Sequence, residues 1–248
     1  MDGRLTPRGQ VTPIEDGWQF TLPEGKHGSY RLAQLDDYTH LPRGKFPNQP
    51  ERTLSLRARV SAADLPGTWG FGLWNDPFGL SLGFGATAGR VPVLPQAVWF
   101  FHASPPNHLS LRDDIPAFGF FAGVIRSPRI ATTFLAPLVI GLPSLLLRPV
   151  RQTLRRLTGK IIRQDGAAIK IDVTRWHNYS ISWRADACTF EVDNRTILHT
   201  TVSPAGPLGL VLWIDNQYAA WTPAGQLGFG SLENTAMWIE ICELTNFT

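Results

Sequence analysis

Cysteine is nearly missing from this chain: Cys188 and Cys242 are the only two among 248 residues. Two are too few for a disulfide framework, and no Cys/His spacing of the zinc-binding type accompanies them, so neither a metal nor any other cofactor is expected. Each falls in a strand-like segment and reads as a small buried hydrophobe of a reducing compartment. The N-terminal MDGRLTPRGQ lacks the apolar core and small-residue cleavage site of a secretory signal, and the expected location is therefore the cytosol. Internal repeats, linkers rich in Ser or charge, and the strand-helix alternation of a parallel sheet are also missing, which argues against a domain boundary within residues 1–248.

Acid is missing from one long stretch. Ile115 to Gln164 carries eight of the 23 Lys and Arg and none of the 20 Asp and Glu, leaving 15 basic residues against 20 acidic ones elsewhere. The net charge of +3 and the pI near 9.1 thus come from one segment. No nucleic-acid motif accompanies it, so DNA and RNA are not expected partners. Within it, Ile130–Leu147 (IATTFLAPLVIGLPSLLL) is uncharged but broken by Pro137, Gly141 and Pro143, which disfavours a membrane span. Next comes Arg148–Arg163 (RPVRQTLRRLTGKIIR), where Val150, Leu154, Leu157 and Ile161 recur at helical spacing among basic residues. The pattern predicts an apolar and basic helical insertion over residues 127–165.

The rest of the chain reads as short strands punctuated by Gly and Pro. Candidates are Trp18–Leu22, Ser29–Leu35, Thr53–Val60, Trp69–Trp74, Leu80–Gly85, Ala97–Ala103, Ala117–Ile125, Ala167–Val173, Asn178–Trp183, Thr189–Asp193, Thr196–Thr201, Leu208–Ile214 and Met237–Leu244. In Thr53–Val60, Leu54, Leu56, Ala58 and Val60 alternate with polar residues, the signature of a half-buried antiparallel strand. The expected architecture is all-β, an antiparallel jelly-roll sandwich formed by a single domain.

Trp176–Thr200 (WHNYSISWRADACTFEVDNRTILHT) resembles the paired strands of the concanavalin A-like lectin/glucanase superfamily, especially family 16 glycoside hydrolases. Gly67–Trp74 (GTWGFGLW) and AMWIEICEL near the C-terminus are similar to two further strands of that family, in the same order. The resemblance implies a jelly roll whose concave face binds glycans. Retaining hydrolases of the family need two carboxylates on one strand, set about 5 to 5.5 Å apart. The corresponding strand here is AVWFFHA, Ala97–Ala103, and it holds no carboxylate. Glu240 and Glu243 do not supply the pair, being three residues apart and so on opposite faces of a regular strand. The catalytic residues of the family are therefore not carried over.

Three aromatic segments are candidate linings of the concave face. LWNDPFG offers Trp74, Asn75, Asp76 and Phe78; the Ala97–Ala103 strand offers Trp99, Phe101 and His102; LWIDNQYAAW offers Trp213, Asp215, Asn216, Tyr218 and Trp221. Aromatic rings stack on pyranose C–H faces while amides and carboxylates meet hydroxyls, and the same inventory suits a flat apolar molecule. A non-hydrolytic binder of a glycan or glycolipid is the leading expectation. The alternative is a cyclase or isomerase acting on an apolar substrate, with His102, Asp215 or Asp76 moving the proton. A glycoside hydrolase ranks third. The acidic pairs Asp36–Asp37 and Asp113–Asp114 read as a strand end and a solvated turn.

The insertion has three readings: a cap packed on the sandwich or on a partner, a mobile lid, or an interfacial contact with an anionic membrane. The last would use Leu138, Ile140, Leu145, Leu146, Arg151, Arg155 and Arg156, and would make the protein peripheral to that membrane.

Overall fold

A computed structural model describes residues 2–5, 9–77, 93–128 and 147–247. Strands are numbered along the chain. The front sheet runs β1 (Asp2–Leu5), β4 (Leu32–Asp36), β13 (Gly209–Asp215), β6 (Thr68–Trp74), β7 (Ala97–Ala103), β8 (Gly119–Arg126) and β9 (Arg163–Ala168). The back sheet runs β12 (Arg195–Thr200), β11 (Cys188–Val192), β10 (His177–Trp183), β5 (Arg52–Val60), β16 (Met237–Phe247), β3 (Gly17–Leu22) and β2 (Gln10–Ile14). Every neighbouring pair in both sheets is antiparallel. A separate hairpin joins β14 (Gln217–Trp221) to β15 (Leu227–Ser231), and among the described residues one α-helix, α1, spans Arg148–Ile161. The all-β jelly-roll sandwich with one helix is as expected.

Alternation explains the packing. On β5 the inward residues Leu54, Leu56, Ala58 and Val60 are buried, while Arg57 and Arg59 lie on the outer surface. Phe71 and Phe100 of the front sheet meet Tyr179 and Phe190 of the back sheet at centroid distances of 5.0 to 5.3 Å, joining the layers edge to face. Both cysteines are free and buried.

Several boundaries depart from the sequence pattern. The Ala167–Val173 expectation moves upstream: β9 starts at Arg163, immediately after the helix cap at Ile162. Its sequence RQDGAA has no alternation, and pairing with β8 rather than propensity makes it a strand. β1, β2, β14 and β15 were not expected. The Leu80–Gly85 candidate and Phe78 lie outside the described residues.

Candidate functional site

β13, β6 and β7 bury residues on both faces, and the second face is the candidate site. Inward they present Leu210, Leu212, Ile214, Trp69, Phe71, Leu73, Val98 and Phe100 to the sandwich core. Outward, β6 presents Thr68, Gly70, Gly72 and Trp74; β7 presents Trp99 and Phe101; β13 presents Trp213 and Asp215. The two glycines shape this surface. A Cβ on Gly70 would lie 2.7 Å from the Trp213 ring, and one on Gly72 would lie 2.5 Å from the Trp99 Cβ, so their absence leaves room for the indoles to lie across β6.

Trp99 is central. Its ring centroid is 6.0 Å from Trp74, 5.9 Å from Trp213 and 4.8 Å from Phe101. The indole N–H groups are held at defined ends: Trp74 donates to the Tyr38 hydroxyl at 2.6 Å, and Trp213 donates to Thr68 Oγ1 at 2.9 Å. Thr68 in turn donates its hydroxyl to Asp215 Oδ1 at 2.8 Å, and the backbone N–H groups of Thr68 and Gln217 reach the same oxygen. Among the described residues no cation balances this buried carboxyl, and desolvation pushes it up to about 7 despite these bonds. A carboxyl poised near neutrality, linked to Trp213 through Thr68 at one end of the aromatic surface, can accept or donate a hydrogen bond to a bound hydroxyl.

Loops narrow the face on both flanks. Tyr38 and Phe46 pack beside β4, joined by Leu41 and Tyr30, and Leu109 packs on Phe101 and Phe121 beside β8. Trp74 and Trp99 stay partly exposed between them. A recess beside this face, lined by Trp99, Phe101, Leu109, Ile115, Phe121 and Gln164, holds about 40 Å³, room for one or two waters. Tyr38, Phe46, Phe121 and Thr68 were missed in the sequence. Phe121 was detectable in principle, since it follows Phe120 on a strand and must face away from it.

The structure separates the proposed proton carriers. His102 lies on the inward face of β7, stacked on Trp69 at 5.2 Å, so it does not join Trp99 and Phe101. Burial pushes it down to about 4 and keeps it neutral. Asp76 is buried at positive φ in the turn after β6, where its carbonyl accepts from Arg43 Nε at 3.1 Å. Asn75 clamps Leu94 and Gln96, and Asn216 binds Ser29, Arg31, Leu232 and Asn234, so both serve loop closure. Tyr218 packs on Gly228 and Gly230 within the hairpin, and Trp221 seats the helix through its carbonyl. Of the eight expected ligand residues, four gather here: Trp74, Trp99, Phe101 and Trp213.

On β6, β7 and β13 the only outward carboxylate is Asp215, so these three strands form no glycosidase pair. β7 offers Ala97, Trp99, Phe101 and Ala103 outward. Asp36 and Asp215 share the face, but Asp36 pairs with Val211, four residues from Asp215 along β13, or about 13 Å at the rise of a strand. That exceeds the roughly 5 to 9.5 Å of glycosidase carboxylates. Asp36 also accepts from Gln34, from the Tyr38 N–H and from Thr39, closing its own turn. Among the described residues no group of three or more His, Cys, Asp or Glu is gathered to hold a metal.

The helix also sits differently from expectation. Arg155 is only 4% exposed and donates to the carbonyls of Trp221 and Ser110, each at 3.0 Å, and to Asp113 at 2.7 Å. Arg151 donates to the Gly225 carbonyl and Gln152 to that of Ala224. Arg151 and Arg155, expected in membrane contact, are thus turned onto the β14–β15 hairpin and the loop of residues 104–118, whose carbonyls need donors. Arg156 faces outward. Leu138, Ile140, Leu145 and Leu146 lie outside the described residues.

No protein-family model matches the chain, and no curated protein matches its sequence. Solved structures do match in shape. An endo-β-1,4-glucuronan lyase from the fungus Trichoderma reesei aligns with 100% of this chain and 90% of its own at 10% identity, with a TM-score of 0.51. At that identity the likeness is one of fold, the antiparallel jelly-roll sandwich described above. Other similar structures are a legume lectin-like domain from Entamoeba histolytica (10% identity, 97% of this chain and 87% of that one, TM-score 0.46) and a Bacillus licheniformis β-glucanase (7% identity, 96% and 81%, TM-score 0.45).

Proposed function

We propose that the chain is a non-hydrolytic carbohydrate-binding protein that holds a glycan, or the head of a glycolipid, on the outer face of β6, β7 and β13 beside a membrane. One observation carries the reading: Trp74, Trp99 and Trp213 form a connected aromatic surface on the strands where a hydrolase of this fold needs its carboxylates. Asp215 supplies the polar contact, and its position near neutrality lets it donate to a hydroxyl or accept from one. The likeness in shape to a glucuronan lyase supports a fold suited to glycans. The basic insertion supports the membrane, and two free buried thiols fit a reducing, cytosolic side of it.

An enzyme closing over an apolar substrate is the second reading, with Asp215 as its proton carrier. It calls for an enclosed pocket of several hundred Å³, whereas the recess on this face holds about 40 Å³. Binding to an immobilised glycan panel, followed by titration of the best ligand, tests the proposal. Saturable binding that Trp99→Ala weakens about tenfold is the expected result, the worth of one stacked ring. Release of new reducing ends from a bound glycan would overturn the non-hydrolytic assignment.

A further inference from the structure

A helix on a globular protein ordinarily buries its apolar stripe and turns its charges to water. α1 departs from this in part: two of its arginines turn inward while part of its apolar stripe stays exposed. Its seat consists of Arg151, Gln152 and Arg155, bonded to Gly225, Ala224, Trp221, Ser110 and Asp113. At about 100° per residue, these seat positions fill one arc, while Leu147, Val150, Leu154, Leu157 and Ile161 fall on another, roughly 120° away. Leu147, Leu157 and Ile161 are 59%, 51% and 52% exposed. Burying Arg155 costs desolvation, which its bonds offset; of the stripe Val150 and Leu154 are partly buried, while Leu147, Leu157 and Ile161 stay outside the seat. Such a stripe needs a cover from outside the sandwich.

We infer that the outward face of α1 is a docking surface for an anionic lipid bilayer. This rests on the membrane reading above and gives it a contact surface. Lys160 is exposed next to Leu157 on the helix, Arg156 is exposed further round, Arg163 follows the stripe, and the helix contains no acid. Leucine and isoleucine side chains in the acyl boundary, flanked by guanidinium and ammonium groups among phosphates, match that inventory. A second copy of the chain fits poorly, because apposed α1 helices would bring cations together without a single acid between them. Among the described residues no helix is long and apolar enough to cross a membrane. α1 lies on the protein surface, in a position to meet the bilayer side-on.

The test floats the full chain with vesicles of phosphatidylcholine alone and of phosphatidylcholine with phosphatidylglycerol. Two double variants at exposed positions are compared, Leu157→Ser with Ile161→Ser, and Arg156→Glu with Lys160→Glu, their folding checked by circular dichroism. Flotation only with the anionic vesicles, weakened about tenfold or more by each pair and by added salt, is expected. Equal flotation with both vesicle types, flotation untouched by either pair, or no flotation at all overturns the inference. So does a concentration-dependent dimer that the Leu157/Ile161 pair abolishes. Glycan titration of the same preparations reads the other proposal separately: unchanged glycan affinity with failed flotation removes the bilayer alone.

Discussion

Asp215 and His102 are driven in opposite directions by the same cause, loss of water around a charge. Asp215 rises from 3.8 to about 7, so across that interval the folded chain holds a proton that the unfolded chain has released. Stability contributed by this group is therefore full below pH 3.8 and falls as pH rises toward 7, by at most about 4 kcal/mol. His102 falls from 6.5 to about 4, so the unfolded chain binds the extra proton there. Its contribution is full above pH 6.5 and is lost as pH falls toward 4, by at most about 3 kcal/mol. The two slopes oppose each other between pH 4 and 6.5. Urea unfolding across this range is expected to show a nearly level wild type, a rising limb in Asp215→Asn and a falling limb in His102→Phe. An Asp215→Asn profile parallel to wild type would place that carboxyl in water.

At the scale of elements, the seat of α1 is the interaction most exposed to a single change. Arg155→Met leaves the carbonyls of Ser110 and Trp221 without their donor and is expected to cost about 2 to 3 kcal/mol. Because the loss is local, hydrogen exchange of α1 should accelerate while β5, β10 and β16 stay protected. Helical spacing revealed α1 to within two residues of its end, since that periodicity belongs to the helix itself. The docked face was not legible: Arg155 is chosen by carbonyls 45 and 66 residues away in sequence. β5 was equally legible through its alternation, whereas the outward-facing loops beside Tyr38 and Leu109 left no periodic trace.

For the whole molecule, the sandwich divides the chain's chemistry between two faces of the front sheet. One joins Trp69 and His102 to the core, and the other gathers Trp74, Trp99, Phe101 and Trp213. Trp99→Ala is therefore expected to weaken glycan binding at a smaller cost in stability than Trp213→Ala, because its ring is the more exposed of the two. Trp213→Ala should do both, opening a cavity and freeing Thr68 at a cost of about 3 to 5 kcal/mol in denaturant.

The amino-acid sequence by itself determined the all-β class, the helix, the concentration of positive charge and the missing carboxylates of Ala97–Ala103, because each is written in local spacing or composition. It did not determine which parity of β7 faces the core, since Val98 and Phe100 are as apolar as Trp99 and Phe101. Only the packing of two sheets settles that choice. Tertiary structure also brought Thr68 to Asp215 across 147 residues and turned Arg155 inward, because desolvation and hydrogen bonding depend on which distant groups become neighbours.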